Sequence, residues 1–175
     1  GMGLAMGVGP AASGQALEFP TENPLPGVLS YIKQVECRDI DSDGDLDLFA
    51  CNFSSTQFTW YDSDGQDPPV FTARSFIVAS APNDFTFADL DADGDLDIVF
   101  AFSNTDQVAW YENDGASPPA FTAHDVSLGV HDYPYNVMVC DVNNDGNLDI
   151  VAHYNETNNT VWYESDGADP LPGFT

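Results

Sequence analysis

Three short segments of the chain carry most of the residues that could bind a ligand or do chemistry. They read DIDSDGDLD at residues 39–47, DLDADGDLD at 89–97 and DVNNDGNLD at 141–149, and they are called here the first, second and third acidic loops. Each loop places oxygen-bearing side chains at alternate positions, with a glycine at position six. Calcium takes roughly six to eight oxygen ligands, and this spacing lets one short loop supply them. The acidic loops are therefore candidate calcium sites.

The predicted metal ligands occupy positions one, three, five, seven and nine of each loop, with position seven contributing its backbone carbonyl. Glycine at position six permits the sharp turn, because it adopts positive φ without a steric penalty. An EF-hand loop needs glutamate at position twelve, where this chain has Ala50, Phe100 and Ala152. We therefore predict that the aspartate at position nine supplies the closing carboxylate. The candidate ligands for up to three calcium ions are Asp39, Asp41, Asp43, Asp45, Asp47, Asp89, Asp91, Asp93, Asp95, Asp97, Asp141, Asn143, Asp145, Asn147 and Asp149.

The acidic loops have a second interpretation, as ordinary Asp-Gly turns in a solvated acidic surface. Five carboxylates within nine residues, as in the first and second loops, repel one another unless a cation lies among them. That repulsion favours the metal interpretation for these two loops. The third loop has three carboxylates and two amides, so its charge is lower and the case for a cation is weaker.

The composition excludes several classes of function. The chain has 175 residues, of which 29 are acidic and 3 basic, with a formal net charge of -26. Binding to nucleic-acid phosphates or to anionic membrane surfaces needs clustered Lys and Arg, so neither is predicted. No run of 18 apolar residues occurs, so no membrane insertion is expected. Hydrophobic residues make up 43%, which is enough for a folded core.

Catalysis is not supported by the sequence. The three histidines, His124, His131 and His153, have no metal-like spacing, and no glycine-rich phosphate loop is present. No nucleophile, histidine and acid can be assembled from the pattern alone. We predict that the protein is not an enzyme.

Internal repetition indicates the fold. The acidic loops begin 50 and 52 residues apart, and each is followed by a Trp-Tyr block and then by a proline-rich turn with a Phe-Thr pair. Alternating apolar and polar residues between turn signals predict short strands, about four in each unit. The expected fold is all-β, with three four-stranded, propeller-blade-like repeats over residues 22–175. Their approximate limits are 28–78, 79–128 and 129–175, after a Gly/Ala-rich arm at 1–21.

These repeats resemble the FG-GAP or VCBS repeats of integrin-type calcium-binding β-propellers, on the pattern D-hydrophobic-[DN]-x-D-G-[DN]-L-D-[IL] between strands. The resemblance implies that each loop joins two strands of a blade and binds one calcium ion. It also implies an extracellular, secreted or cell-surface protein with a structural or adhesive role. Three repeats are fewer than the propellers of this family have. One chain alone is therefore not expected to close the ring, since closure takes about four to eight blades.

An open array of blades leaves unpaired strand edges, which favour association. The third unit stops at Phe174 and Thr175, where the earlier units begin their last strand. The segment 16–21 of the N-terminal arm could donate that strand, within one chain or between chains, giving an oligomer or filament. Three alternatives stay open: a fragment of a larger surface protein, a carbohydrate-binding module, and a protein or glycan partner. Residues 1–17 are either a flexible arm or the tail of a signal peptide.

Three further residue sets have two interpretations each. Trp60, Trp110 and Trp162 recur at one position of the unit, as an inter-blade core or as a platform for sugars. Asn52, Asn155 and Asn158 begin N-glycosylation sequons, which matter only in a secreted eukaryotic protein. Cys37 and Cys51 flank the first acidic loop, and a disulfide between them is possible if their strands pair face to face. Cys140 would then be a buried free thiol.

Overall fold

The structure is a computed structural model, and it describes residues 24–26, 31–52, 54–127, 132–168 and 172–175. Within these residues all regular secondary structure is β-strand, which confirms the all-β prediction. The strands are β1 (Ile32–Arg38), β2 (Asp47–Asn52), β3 (Gln57–Ser63), β4 (Phe71–Ile77), β5 (Asp84–Ala88), β6 (Asp97–Phe102), β7 (Gln107–Asn113), β8 (Phe121–Asp125), β9 (Pro134–Cys140), β10 (Asp149–Tyr154) and β11 (Asn159–Tyr163). No helix that could cross a membrane is found among the described residues.

The strands form three separate antiparallel sheets that follow the chain order. Strands β1–β4 form the first blade, β5–β8 the second, and β9–β11 the third. In the third blade the fourth strand is represented by one bridge, between Ser165 and Phe174. Among the described residues none of the sheets closes on itself, and the three blades do not complete a ring, as the repeat count predicts.

The three blades share one register, so equivalent positions can be compared directly. The aspartate at position nine of each acidic loop opens the second strand and pairs with the last residue of the first strand: Arg38 with Asp47, Ala88 with Asp97, and Cys140 with Asp149. The second blade packs on the first blade with one side of its sheet and on the third blade with the other. The side toward the first blade, and the sides equivalent to it by register in the other two blades, are called here the N-facing sides. The opposite side of each sheet is called the C-facing side.

The hydrophobic core lies between the blades. In the first cluster, Phe49 and Phe58 on the C-facing side of the first blade meet N-facing aromatics of the second. The Phe49 and Phe87 rings are 4.6 Å apart, and the Phe58 and Phe100 rings are 4.8 Å apart, both edge to face. A second cluster joins Trp110 and other residues of the second blade to the third. Packing two sheet faces in this way removes apolar area from water at each interface.

The possible disulfide between Cys37 and Cys51 does not form in this structure, and all three cysteines are free. β1 and β2 do pair, but Cys37 lies opposite Leu48 while Cys51 lies opposite Gln34. Three residues along a strand span about 10 Å and reverse the side that a residue faces. A disulfide needs Cα atoms within about 7 Å. Cys51 is buried and Cys140, expected to be buried, is only half-buried.

Asn113 makes a hydrogen bond that joins the first two blades. Its buried amide nitrogen donates to the carbonyl of Ile40 in the first blade at 3.0 Å, and to the carbonyl of Leu96 at 3.1 Å. Its amide oxygen accepts from the backbone of Gly115 in the adjoining turn. The first and third blades have Ser63 and Ser165 at this position, and both hydroxyls accept from the turn glycine in the same way. Only Asn113 adds the contact to a neighbouring blade.

We expect Asn113→Ser to lower the free energy of unfolding by about 1–3 kcal/mol, because serine keeps the turn contact but leaves the buried Ile40 carbonyl without its donor. Urea unfolding followed by tryptophan fluorescence measures the loss. The matched control is Asn155→Ser in an exposed turn, which should change the free energy by less than about 0.5 kcal/mol. Equal losses in the two variants would contradict a role for Asn113 between blades.

Candidate metal centres

Each acidic loop connects the first and second strands of its blade, so antiparallel pairing closes the loop at its base. In the first loop this brings together Asp39, Asp41 and Asp43, with one oxygen of each within 4.8 Å of the others. The second loop gathers its first three aspartates in the same way. Two aspartate triplets are therefore placed to hold a metal ion. They are the first three predicted ligands of their loops.

Hydrogen bonds within the second loop hold its carboxylates in position. The backbone N–H of Gly94 donates to Asp89 at 3.2 Å, and the N–H of Asp95 donates to Asp93 at 2.9 Å. The first loop has the same two bonds at equivalent positions. Gly94 has φ 101°, a conformation that residues with a Cβ rarely adopt, which explains why position six is glycine in all three loops.

Several carboxylate oxygens in the triplets are buried and lack a hydrogen-bond partner. Among the described residues, these are one oxygen each of Asp39, Asp41 and Asp89. A buried acceptor without a partner costs free energy, and charged neighbours of the same sign add to the cost. A cation among the three carboxylates would satisfy these oxygens and offset the repulsion. The donor set consists of oxygen atoms only, which fits a hard divalent cation such as calcium.

The aspartate at position nine is buried in all three loops and anchors the loop to its blade. In the second loop Asp97 accepts from the backbone N–H of Leu90 at 3.0 Å and of Asn113 at 2.9 Å, through different oxygens. Burial raises the pKa of the Asp97 carboxyl to about 7 and that of Asp47 to about 6, despite these bonds. Each oxygen keeps a second lone pair. Metal ligation at position nine therefore stays a prediction, alongside a structural role that the sequence did not suggest.

The glycine after each Trp-Tyr block was missed as a site residue. Gly65, Gly115 and Gly167 have φ of 61–66°, and the side chain at loop position seven lies against each of them. A Cβ on Gly115 would overlap the carboxylate of Asp95. These glycines therefore make room for the acidic loop. Their strict recurrence in the Trp-Tyr block was the signal that could have found them.

Acidic groups next to the second loop strengthen its negative field. Burial raises the pKa of Asp91, and the neighbouring charges of Asp93, Glu112 and Asp89 add to the effect. Glu112 lies on β7, is 2.7 Å from a ring nitrogen of His124, and lines a cleft of about 410 Å³ between the second and third blades. Glu112 was not predicted as a site residue. A bound cation would be stabilised by these neighbours through Coulomb attraction.

The third loop satisfies its acidic groups differently. Asn143 replaces the aspartate at position three, and its amide nitrogen donates to Asp145 at 2.9 Å and to Glu164 at 3.0 Å. Glu164 occupies the position that Glu112 has in the second blade. The third loop thus has one carboxylate fewer at this position, and two of the remaining carboxylates accept hydrogen bonds from the neutral amide. Less repulsion is left for a cation to relieve. This arrangement agrees with a weaker metal site in the third loop.

Comparison with protein families agrees with this geometry. The model of the FG-GAP-like repeat matches residues 39–100 and again residues 89–152, which together make up more than half of the chain. The chain belongs to the FG-GAP-like repeat family. Each match begins on the first aspartate of one acidic loop and ends in the strand after the next loop. A search of curated proteins with the chain found no significant match.

The FG-GAP blades place the repeated tryptophans in two different environments. Trp60 and Trp110 are buried in the first and second inter-blade clusters, as the core interpretation predicts. Neither is accessible to stack on a sugar. Trp162, at the equivalent position of the third FG-GAP blade, is 41% exposed. Sequence equivalence therefore did not determine exposure.

The remaining predicted residues lie away from the acidic loops. Asn52 ends β2, and Asn155 and Asn158 are exposed in the turn between β10 and β11. Their glycosylation stays a prediction. His153 contacts Thr160 on the paired strand, and His131 and the N-terminal arm lie outside the described residues. An FG-GAP repeat is typically a structural unit, without enzymatic activity of its own.

Proposed function

We propose that this chain is a calcium-binding extracellular repeat protein with a structural or adhesive role. The observation that carries the proposal is the pair of aspartate triplets, whose oxygens lie within 4.8 Å of one another and include buried atoms without partners. Calcium would be held by the aspartates at positions one, three and five, a carbonyl at position seven and the carboxylate at position nine. The bound ion would be coordinated by ligands from both ends of the loop and would hold them together. Its role in this proposal is structural.

Calcium fits these loops better than magnesium does. Calcium accepts irregular coordination by many oxygens, whereas magnesium demands a near-octahedral shell and keeps several of its waters. An acidic loop closed by hydrogen bonds from its own backbone provides many oxygens within one short segment. We therefore propose calcium at the first and second loops, with weaker binding at the third.

An extracellular location is supported by three properties of the chain. FG-GAP repeats are typical of extracellular proteins. The excess of acidic residues keeps the chain soluble in a calcium-rich medium, where sites with a Kd of roughly 0.1–1 mM are filled. Two of the predicted glycosylation sequons begin in an exposed turn. Secretion or display at a cell surface follows as part of the proposal.

The proposal keeps two predictions made from the sequence: that the chain associates with itself, and that its three repeats extend over residues 22–175. Donation of a strand by residues 16–21 stays part of the proposal, and that segment lies outside the described residues. A carbohydrate-binding role is less well supported, because two of the three tryptophans that could form a platform for sugars are buried. Binding experiments with proteins and glycans would test for a further partner. Binding to nucleic acid is not expected.

Isothermal titration of metal-free protein with calcium tests the metal part of the proposal. We expect two stronger sites and one weaker site, and Asp91→Asn should weaken one of the stronger two, because it gives the second loop the asparagine that the third loop has at position three. Asp125→Asn is the matched control. It changes the same charge on β8, at the opposite end of the blade from the loop. Heat signals that are absent, or unchanged by Asp91→Asn, would contradict the assignment.

A further inference from the structure

The proline-rich turn after β7, residues 114–120 of the second blade, lies against the first blade. Asp114 closes this turn, because its Oδ1 accepts from the backbone N–H groups of Ala116 at 3.1 Å and of Ala120 at 2.9 Å. The two prolines of the turn line a groove that also includes Trp60 of the first blade. The turn is thus held in one shape beside its neighbouring blade.

Ser117 in this turn contacts a predicted metal ligand of the first blade. Its hydroxyl donates to Oδ2 of Asp41 at 2.8 Å, although the two residues are 76 positions apart in the sequence. The other oxygen of Asp41, Oδ1, is one of the buried oxygens that have no hydrogen-bond partner. The contact with Ser117 therefore engages one oxygen of Asp41 and leaves the other oxygen for a cation.

A second side chain of the second blade binds the neighbouring residue of the same loop. The amide nitrogen of Asn113, the last residue of β7, donates to the carbonyl of Ile40 at 3.0 Å. Asn113 and Ser117 therefore hold two successive residues of the first acidic loop, at positions two and three. A ligand that is oriented before the metal arrives loses less conformational freedom on binding, and the groups that orient metal ligands raise the affinity for the metal.

The second acidic loop is held differently, although it too has aspartate at all five ligand positions. Asp91, at position three, accepts a hydrogen bond from the backbone N–H of Asp93 in its own loop, at 3.3 Å. Beside Asp91 is the cleft of about 410 Å³, whose other wall includes Gly167 of the third blade. Ser165 takes the place of Asn113 there, and its hydroxyl accepts from the turn glycine. Two loops of the same composition thus differ in what orients position three.

We propose that Ser117 of the second blade is a positioning residue for the calcium ion of the first acidic loop. This inference rests on the proposed function, since it assumes that the first loop binds calcium. Ser117 acts through Asp41: its hydroxyl fixes the rotation of the carboxylate, so that Oδ1 stays directed at the site. The calcium affinity of the first loop therefore depends on a residue of the following blade. By linkage, calcium in this loop strengthens the contact between the first two blades to the same extent.

Calorimetric titration of metal-free variants with calcium tests the role of Ser117. Ser117→Ala should weaken one of the two stronger sites by about tenfold, because loss of a group that orients a metal ligand typically costs that much or more. Ser117→Thr keeps the hydroxyl and should restore the affinity. Ser54→Ala is the matched control, since its exposed hydroxyl donates at 2.9 Å to Asn52 at the opposite end of the first blade. It should leave both sites unchanged.

Two further backgrounds separate positioning of Asp41 from a general loss of stability. In Asp41→Ala the acceptor of the Ser117 hydroxyl is gone, so adding Ser117→Ala should cause no further loss of affinity. In Asp91→Ala the first loop is the remaining stronger site, and adding Ser117→Ala should cause the full loss of about tenfold, since the two changes are independent. Circular dichroism in chelator checks that each variant is folded.

Unchanged calcium affinity in Ser117→Ala would overturn the role of Ser117. So would equal further losses in the Asp41→Ala and Asp91→Ala backgrounds, because a contact made through Asp41 cannot act after Asp41 is removed. Either result would leave the calcium proposal intact, since the unaltered chain would still bind the ion. Absence of calcium binding to the unaltered chain would overturn both proposals.

Discussion

Removal of calcium is expected to lower the melting temperature of this protein by about 10–20 °C. A ligand that binds only the folded state stabilises it by about 2.7 kcal/mol per site when its concentration is 100 times the Kd. Two stronger sites would contribute about 5 kcal/mol, and each kcal/mol shifts the midpoint of a chain of this size by about 2–4 °C. The buried carboxylates of Asp47 and Asp97 give a further reason to expect that calcium stabilises the folded state. Their raised pKa values show that burial disfavours their charge, which a nearby cation would offset.

The measurement is scanning calorimetry of the chain in excess calcium and in excess chelator, at matched ionic strength. Matching is essential because a net charge of -26 makes any salt stabilising by screening. Asp91→Asn should lose part of the calcium-dependent shift, because it weakens one of the two stronger sites, and Asp125→Asn should keep the whole shift. Magnesium at the same concentration should give a smaller shift. Identical melting curves with calcium and with chelator would refute the metal assignment.

Replacement of tryptophan by alanine should have very different effects at equivalent positions of two blades. Trp110→Ala is expected to lower the free energy of unfolding by about 3–5 kcal/mol, because it opens a cavity in the cluster between the second and third blades. Trp162→Ala should cost about 1 kcal/mol or less in dilute solution, because its side chain is already partly in water. The two variants remove the same atoms from the same repeat position.

Urea unfolding of both variants, at a protein concentration too low for association, measures the difference. Trp60→Ala is the additional control, since Trp60 is buried between the first and second blades and should behave like Trp110. Equal losses at the second and third blades would mean that the C-facing side of the third blade is covered in solution. Such a result, obtained under dilute conditions, would contradict the exposed surface seen here.

The repeat and its loops could be predicted from the sequence because their determinants are local. Alternation of apolar and polar residues specifies a strand, and the spacing of the aspartates in DLDADGDLD specifies a turn with oxygens on one side. Antiparallel pairing of adjacent strands requires only short connections, so chain order predicted the order within each sheet. Three copies of the pattern in one chain made these inferences mutually supporting.

Other features depended on contacts between segments distant in the sequence. The side chain of Asp97 turns into the blade because backbone N–H groups from the loop and from β7 converge on it. Gly115 must be glycine because Asp95, twenty positions earlier, lies against it. The separation of Cys37 from Cys51 follows from the register of β1 and β2, since three positions along a strand reverse the side that a residue faces.

The three tryptophans show most directly what local pattern alone leaves open. The repeat pattern was enough to place Trp60, Trp110 and Trp162 at one position of the unit, on one side of the sheet. Which of them are core depends on whether another blade packs against that side. A periodic sequence specifies identical local units, but the first and last units have different neighbours from the middle one. That difference exposes Val35 at one end and Trp162 at the other.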